Sequence, residues 1–350
     1  MRRPLIPILL TAALLSASFL TGCQAPGSPD PIVIVGAGST FAFPLYSNWA
    51  YRYNQLHPAV QINYQSIGSG GGIRQLSGGT VDFGATDGPM TDKQLASADK
   101  VLGTEILHFP VALGANVPAY NLPGLSAPLH FTGKMLAAIF LGKITQWNDP
   151  EIVKANPGVV LPANRILICH RSDGSGTTFV WTDYLAKISP EWKSRVGVGT
   201  SVAWPVGLGG KGNEGVAGLI RQQPYSLGYV EVIYAVQNKM SFGAVENAAG
   251  RFVTADLNSV TAAALGASAN MPADFRVSIT KAPGEGSYPI SSFTWMLVRR
   301  HLADANKQAA LRSFLIWGIT EGQVSASKLA YAPLAPAVVS KELQILQTRQ

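Results

Sequence analysis

The chain has 350 residues, 47% of them hydrophobic and 13% charged, so it is long and apolar enough to bury the core of two lobes. Its 36 glycines and 23 prolines punctuate periodic segments, which excludes a disordered protein. The net charge is +7, and the basic residues are scattered with no stripe or aromatic ladder, which argues against a nucleic-acid partner.

The N-terminal segment predicts an export signal that ends at a cysteine. A basic head, Met1-Arg2-Arg3, precedes an apolar run, and Leu20-Thr21-Gly22-Cys23 resembles a bacterial lipobox, in which the cysteine is lipidated. A transmembrane anchor is the weaker alternative, because the run is short and a stretch rich in glycine, proline and serine follows it. We therefore expect a signal peptide over 1–22 and a flexible tether over 23–31. Membrane attachment through Cys23 would place the mature chain in the periplasm or at the cell surface.

Three turns rich in glycine, serine and threonine each follow a predicted strand, over 32–35, 60–64 and 165–169, and precede a predicted helix. The turns are Gly36-Ala37-Gly38-Ser39-Thr40-Phe41, Ile67-Gly68-Ser69-Gly70-Gly71-Gly72 and Arg171-Ser172-Asp173-Gly174-Ser175-Gly176-Thr177. In each turn a Ser or Thr stands where the helix would begin, which is typical of an N-cap. Capping alone explains any one turn. Three together indicate a shared anion site, because helix N-termini supply unpaired amides and partial positive charge.

A short predicted strand ends in a turn that presents an aspartate, in Val81-Asp82-Phe83-Gly84-Ala85-Thr86-Asp87. A carboxylate only accepts hydrogen bonds, so it repels an anion unless that anion carries a proton. Phosphate retains a proton at neutral pH and sulfate does not. Asp87 would therefore accept a hydrogen bond from phosphate and reject sulfate, at a cost of about 1–3 kcal/mol or more.

The third turn places a cation beside the same site. Arg171 would offer a planar donor fork to the anion, and Asp173 would pair with the guanidinium and orient it. A surface ion pair of little energetic worth is the alternative.

Strands that alternate with helices along the chain predict an α/β fold with mainly parallel sheets, in which ligands collect beyond the carboxyl ends of the strands. Other site classes are poorly supported. The Gly36-Ala37-Gly38 turn has Phe41 where a dinucleotide fingerprint needs a third glycine, and the histidines show no metal-ligand spacing. Once Cys23 is lipidated, Cys169 has no disulfide partner, and we expect it to be buried.

These segments resemble the extracytoplasmic phosphate-binding proteins of Pst phosphate ABC transporters, over essentially the whole mature chain. The resemblance is carried by the three turns, by the segment ending at Asp87, and by Trp204-Pro205-Val206-Gly207-Leu208-Gly209-Gly210-Lys211-Gly212-Asn213. It implies a type II periplasmic-binding-protein fold, in which two lobes with mixed, mainly parallel sheets close over phosphate. It also implies eight phosphate-binding residues, which are Thr40, Phe41, Ser69, Asp87, Arg171, Ser175, Gly176 and Thr177. Asp173 would orient Arg171, Ser39 would support the site, and the glycine-rich 207–213 segment would shape a loop and open a helix.

The same resemblance implies a chain that crosses between the lobes twice, near 111–113 and 283–286. We expect residues 32–112 and 284–350 to form the first lobe and residues 113–283 the second, with a strand over 293–298 and with Phe314 and Trp317 in the core.

The implied function is capture of phosphate and its delivery to an inner-membrane ABC permease, by a monomer that needs no cofactor or metal. Two alternatives remain at this point. One is an exported phosphatase-like hydrolase with Ser175 as nucleophile. It lacks an evident general base, because the strand sets the direction of the nearby His170 side chain. The other is the same fold binding a different oxyanion.

Overall fold

The structure, a computed structural model, describes residues 30–125, 127–268 and 271–347. The predicted signal peptide, Cys23 and nearly all of the predicted tether lie outside these residues. No helix of the described part of the chain is both long and apolar enough to cross a bilayer.

Twelve strands occur in the described residues. In chain order they are β1 (Ile32–Gly38), β2 (Val60–Ser66), β3 (Phe83–Thr86), β4 (Ile106–Asn121), β5 (His130–Phe131), β6 (Leu167–Arg171), β7 (Leu208–Gly210), β8 (Ser226–Glu231), β9 (Ser241–Phe242), β10 (Ala244–Glu246), β11 (Phe252–Val253) and β12 (Ser291–Arg299).

The helices of the same residues number thirteen. They are α1 (Phe43–Leu56), α2 (Ser69–Ser77), α3 (Asp92–Leu102), α4 (Gly133–Phe140), α5 (Pro150–Ala155), α6 (Gly176–Ile188), α7 (Pro190–Arg195), α8 (Gly212–Gln222), α9 (Val232–Gln237), α10 (Leu257–Ser268), α11 (Ala305–Ile319), α12 (Gln323–Lys328) and α13 (Pro336–Gln347).

The large sheet is mixed and has the strand order β2-β1-β3-β12-β4-β8-β6-β7, with β9 also paired to β4. Pairing is parallel among β1, β2 and β3 and among β6, β7 and β8, whereas β12 and β4 run antiparallel to their neighbours. The predicted α/β fold with mixed sheets is confirmed, and the parallel pairs lie towards both edges. Strands β5, β10 and β11 form a small separate sheet.

Strand β4 joins the two ends of the large sheet. It pairs with β12 as far as Ala115 and with β8 from Asn116 onward. We call β2, β1, β3, β12 and β4 up to Ala115 the first half of the sheet, and the remainder the second half. β4 changes its partner after Ala115, three residues beyond residue 112, where we expect the first segment of the first lobe to end. The boundary residues of the lobes stay a prediction.

The predicted strands before the three turns are all present, with shifted ends. β1 and β2 extend into the glycines and serines that follow them, and β6 begins two residues later than predicted and includes Arg171. β3 ends at Thr86, so Asp87 is the first residue of the turn, as expected. The predicted strand over 293–298 is the middle of β12.

An aromatic cluster forms the core beside β1. Helix α1 places Tyr46, Trp49 and Tyr53 on one face, because positions i, i+3 and i+7 share a side of a helix. Trp49 and Tyr53 contact Phe314 and Trp317 of α11, with ring centroids 5.1 to 6.4 Å apart. Phe314 and Trp317 are thus core residues, as predicted, and they hold a C-terminal helix against the first half of the sheet.

A second aromatic cluster lies beneath β6. The rings of Trp181 and Tyr229 stack 5.0 Å apart, and Trp204 stacks on Tyr229 at 5.6 Å. The hydroxyl of Tyr229 accepts a hydrogen bond of 3.2 Å from the amide of Arg171. The cluster therefore supports the end of β6, where the third turn begins. Cys169 is fully buried in the same strand, as expected.

Candidate functional site

The three turns and Asp87 meet between the two halves of the sheet. They follow the carboxyl ends of β1, β2, β3 and β6, where α/β sheets collect ligands. The backbone amide of Gly70 donates to the carbonyl of Gly174 at 2.9 Å, which joins the second turn to the third. A Cβ built on Gly176 would lie 2.4 Å from Asp87 Oδ2 and 2.5 Å from Ser69 Oγ. Only a glycine allows the start of α6 to approach these two side chains so closely.

Asp87 is almost fully buried and accepts hydrogen bonds from three hydroxyl groups. Ser39 Oγ lies 2.6 Å from Oδ1 and 2.7 Å from Oδ2, Thr294 Oγ1 lies 2.7 Å from Oδ1, and Ser69 Oγ lies 3.4 Å from Oδ2. Burial raises the pKa of Asp87 from 3.8 to about 6, against these hydrogen bonds and the positive charge of Arg171, which lower it. The carboxyl group therefore titrates close to neutral pH and remains mostly ionised at pH 7.

Arg171 is 3% exposed and forms a two-pronged ion pair with Asp173. Its Nε donates to Oδ1 at 2.7 Å and its Nη2 to Oδ2 at 2.6 Å. Burial would raise the pKa of Asp173, but the hydrogen bonds and charge of Arg171 outweigh it and lower that pKa. The pair fixes one edge of the guanidinium and directs Nη1 to Thr177 Oγ1, at 3.3 Å. The pairing suggested by the sequence is present, and it is partly buried rather than on the surface.

The third turn begins a helix as predicted. Ser175 is the N-cap of α6, and its Oγ accepts from the amide of Thr178 at 3.0 Å. Gly176 and Thr177 are the first two helical residues, so their amides belong to the unpaired donors at a helix N-terminus. Ser175 and Thr177 are fully buried, so the start of α6 places two hydroxyls in the interior beside these amides.

The first turn is held by tyrosines from distant parts of the chain. Tyr234 donates to the carbonyl of Thr40 at 2.6 Å, and Tyr331 donates to the carbonyl of Phe41 at 2.5 Å. Both residues of the turn are buried, and the carbonyl bonds fix the peptide planes of the segment that leads into α1. These two bonds therefore orient the backbone of 40–42 within the site.

The expected N-caps of the first two helices are wrong. The N-cap of α1 is Ala42 and that of α2 is Gly68, and neither helix has a side-chain cap bond at that position. Ser39 Oγ does accept from the amide of Ala42 at 3.1 Å, but it donates to Asp87. Ser69 is the first helical residue instead of the cap, and its hydroxyl also faces Asp87. Hydrogen bonding to the Asp87 carboxylate therefore explains the serines at positions 39 and 69.

Three buried residues that the sequence did not indicate complete the site. Thr294 projects from the middle of β12 to Asp87. Asn213 Nδ2 lies 2.9 Å from Thr40 Oγ1 and 3.0 Å from Thr177 Oγ1, so it contacts two of the turns. Glu231 ends β8, and burial raises its pKa well above the usual range, helped by the nearby charge of Asp87.

The hydrolase alternative finds no support in the geometry. His170 Nδ1 lies 3.0 Å from the carbonyl of Arg171, and its ring stacks on Trp204 at 4.8 Å. Ser175 Oγ acts as a helix cap, and no residue of the described chain is hydrogen-bonded to it as a general base. Within residues 30–125, 127–268 and 271–347, no three His, Cys, Asp or Glu side chains are grouped to hold a metal ion.

The chain is similar to a superfamily domain and to known phosphate-binding proteins. The PBP superfamily domain matches residues 25–321. The phosphate-binding protein PstS of Xylella fastidiosa (strain 9a5c) is 48% identical over 311 residues, covering 89% of this chain and 84% of its own. The protein of the same name from Pasteurella multocida (strain Pm70) is 43% identical over 330 residues, 94% of this chain and 92% of its own.

Solved structures of low sequence identity share the fold. The phosphate-bound periplasmic phosphate-binding protein PfluDING superposes with a TM-score of 0.72 at 20% identity, covering 89% of this chain and 93% of its own. A putative substrate-binding protein of a phosphate ABC transporter from Clostridium perfringens, also with bound phosphate, gives a TM-score of 0.63 at 17% identity, with 87% and 100% coverage.

Proposed function

The chain belongs to the PstS family of phosphate-binding proteins, and from this premise we propose that it captures inorganic phosphate outside the cytoplasm and delivers it to an ABC permease. It is a binding protein and not an enzyme. The observation that carries the proposal is the buried carboxyl of Asp87 among hydroxyl and amide donors, because it gives an anion site a means of detecting a proton.

The proposed phosphate site lies between the two halves of the sheet. From the first half, Thr40, Phe41 and Ser69 would donate through hydroxyl or amide groups, and Asp87 would accept the proton of phosphate. From the second half, the Nη1 side of Arg171 and the start of α6 would bind the remaining oxygens. These donors at the start of α6 are the hydroxyls of Ser175 and Thr177 and the amides of Gly176 and Thr177.

Two further residues would act by positioning these groups. Asp173 holds the guanidinium of Arg171 through two short hydrogen bonds, and Ser39 donates to both carboxylate oxygens of Asp87. Neither is proposed to touch phosphate.

The selectivity for phosphate follows from the direction of the hydrogen bonds. With Asp87 ionised, HPO₄²⁻ or H₂PO₄⁻ can donate to it, whereas sulfate would place an acceptor against a buried acceptor. An unmatched buried charged group costs about 1–3 kcal/mol or more, which corresponds to a large preference for phosphate.

Binding and delivery would depend on closure of two lobes, with residues 32–112 and 284–350 in one and 113–283 in the other. A single chain supplies both sides of the cleft, so we propose that the protein acts as a monomer. The lipobox-like Leu20-Thr21-Gly22-Cys23 supports a signal peptide over 1–22, a tether over 23–31 and lipid attachment at Cys23. The anchored protein would work at the periplasmic or outer face of the membrane beside its permease.

Calorimetric titration of the phosphate-stripped mature protein with phosphate and with sulfate tests the proposal. We expect one tight phosphate site, no sulfate binding at pH 8, and gain of sulfate binding in Asp87→Asn. Asp82→Asn is the matched control, since Asp82 is another buried aspartate at the opposite end of β3 and pairs with Lys307 at 3.1 Å. Equal binding of both anions by the wild type would refute the role of Asp87, and release of phosphate from phosphoesters would favour a hydrolase.

A further inference from the structure

We infer that Asn213 is a specificity-determining positioning residue, which aims the hydroxyl protons of Thr40 and Thr177 at the bound anion and joins the two halves of the sheet around it. The inference rests on the proposed phosphate site and adds a residue to it. It assigns a role to the last residue of the glycine-rich 207–213 segment, which was expected only to shape a loop and open a helix.

The contacts of Asn213 fix the orientation of its side-chain amide. Its Oδ1 accepts from the backbone amide of Glu231 at 3.0 Å, and that amide can only donate. The Nδ2 group must therefore point the other way, towards Thr40 and Thr177. Asn213 is fully buried in the first turn of α8, and the preceding Gly212 amide donates to Asp173 Oδ1 at 3.0 Å. The start of α8 is thus held on both sides of the side chain.

A count of lone pairs shows what Asn213 does to the two hydroxyls. A threonine hydroxyl has two acceptor lone pairs and one proton. The Oγ1 of Thr40 accepts from the backbone amide of Asn213 at 3.2 Å and from its Nδ2 at 2.9 Å. The Oγ1 of Thr177 accepts from the same Nδ2 at 3.0 Å and from Arg171 Nη1 at 3.3 Å. Both acceptor positions are used on each oxygen, so each hydroxyl has only its proton left to offer.

The remaining protons have no protein acceptor. Within residues 30–125, 127–268 and 271–347, neither hydroxyl donates a hydrogen bond to another group of the chain. Thr40 and Thr177 are nonetheless buried, at 2% and 0% exposure, where an unmatched donor is costly. An anion between them supplies the missing acceptors, whereas a ligand that presents a donor there is rejected.

The same side chain links the two halves of the sheet. Asn213 lies in α8, which packs on β6 and β8 of the second half, and Thr177 lies in α6 after β6. Thr40 follows β1 of the first half. The two bonds to Thr40 exist only while the first turn and α8 are together, so they stabilise the closed cleft and should slow the release of phosphate.

Two substitutions separate these effects. Asn213→Asp has nearly the same shape but replaces the donor by acceptors, which would turn both hydroxyl protons away from the ligand. We expect phosphate affinity to fall by about 100-fold or more, since one buried donor becomes a misplaced charge. Asn213→Ala removes the bonds without adding a charge. We expect a loss of about 10- to 100-fold, expressed mainly as faster dissociation in stopped-flow measurements.

A double-mutant cycle with Thr40→Val distinguishes this role from a general loss of structure. If Asn213 acts through Thr40, then Asn213→Ala should weaken binding less in the Thr40→Val background than in the wild type, by about threefold or more. Asn156→Ala is the matched control. Asn156 is also buried, with Oδ1 accepting from the amide of His130 at 2.8 Å, so the variant should lose stability but keep phosphate affinity.

The outcomes are separable. A wild type that does not bind phosphate refutes the proposed function. A wild type that binds tightly, with Asn213→Asp and Asn213→Ala that bind and release phosphate as it does, refutes only the role of Asn213. If the effects of Asn213→Ala and Thr40→Val on the free energy of phosphate binding are additive, the role of Asn213 is also refuted. If Asn213→Asp does not fold, Asn213→Ala and the cycle decide the question alone.

Discussion

The substitution Thr294→Val should change the pH at which the site begins to accept sulfate. Thr294 Oγ1 lies 2.7 Å from Asp87 Oδ1, and its other contact, to the carbonyl of Thr86, is longer at 3.4 Å. Valine keeps the shape of the fully buried side chain and removes the donor. The substitution therefore tests one hydrogen bond to the ionised form of Asp87 with little change in packing.

The size of the effect follows from the energy of that bond. A hydrogen bond to a charged group contributes about 1.5–3 kcal/mol, and 1.36 kcal/mol corresponds to one pKa unit. Losing a donor to the carboxylate disfavours its ionised form, so the pKa of Asp87 should rise from about 6 to about 7–8 in the variant.

Sulfate is the suitable probe because it carries no proton that titrates between pH 5 and 9. It should bind only when Asp87 is protonated and can donate to it. Above the pKa of Asp87, sulfate affinity should fall about tenfold for each pH unit. At pH 7 the protonated fraction is about one tenth in the wild type and about half or more in Thr294→Val, so the variant should bind sulfate about five- to tenfold more tightly.

Calorimetric titration with sulfate from pH 5 to pH 9, at constant ionic strength, measures both curves. Arg171 and Glu231 also face Asp87, and the pKa of Glu231 is itself raised by burial, so Glu231→Gln is the control for its titration. Superimposable curves for wild type and Thr294→Val would refute the reasoning. So would a pH dependence of sulfate binding that persists in Asp87→Asn.

Three further predictions concern Gly176, the stability of the ligand-free protein and the attachment of Cys23. Gly176→Ala should weaken phosphate binding by about 100-fold or more, because the added Cβ would lie 2.4 Å from Asp87 Oδ2. Gly218→Ala is the control and should leave phosphate affinity unchanged, since a Cβ there would have nothing within 4 Å. Equal phosphate affinities of the two variants in titration would contradict the close approach of α6 to Asp87. In the ligand-free protein, Asp87 has a folded-state pKa of about 6 against 3.8, so its ionisation destabilises the fold as pH rises from about 4 to 6. The free energy of unfolding measured in urea should therefore rise for Asp87→Asn relative to the wild type by on the order of 3 kcal/mol over that pH range. A difference in free energy of unfolding that stays constant over the range would contradict this prediction. Cys23→Ser should move the protein from the membrane to the soluble fraction of export-competent cells, and an unchanged distribution would exclude the lipid anchor.

The three turns and Asp87 could be found from the sequence because each is a local pattern. A glycine-rich stretch after an apolar run marks the end of a strand, and the acidic residue in such a turn stands out among neutral neighbours. The ion pair of Arg171 with Asp173 is also local, since the partners are two positions apart in the chain.

Thr294 and Asn213 could not be found in the same way. Thr294 lies within a buried strand, and its proximity to Asp87 depends on the antiparallel pairing of β12 with β3, 207 residues apart in sequence. Asn213 meets Thr40 across 173 residues. The incorrect N-caps at the first two turns have the same cause, because local preference suggested a cap for Ser39 and Ser69, whereas a distant carboxylate determines where their hydroxyls point.

The charged side chains of the site carry a net negative charge, which shows why the direction of each hydrogen bond matters. Asp173 neutralises Arg171, and Asp87 adds a negative charge next to the place proposed for an anion. The charged side chains therefore give no net attraction for an anion, and affinity must come from donors held in place before the ligand arrives. In a buried site of low effective dielectric, each aligned donor counts for more than in water, and each reversed one opposes binding. A residue such as Asn213, which never needs to touch phosphate, can then control affinity as strongly as a residue that does.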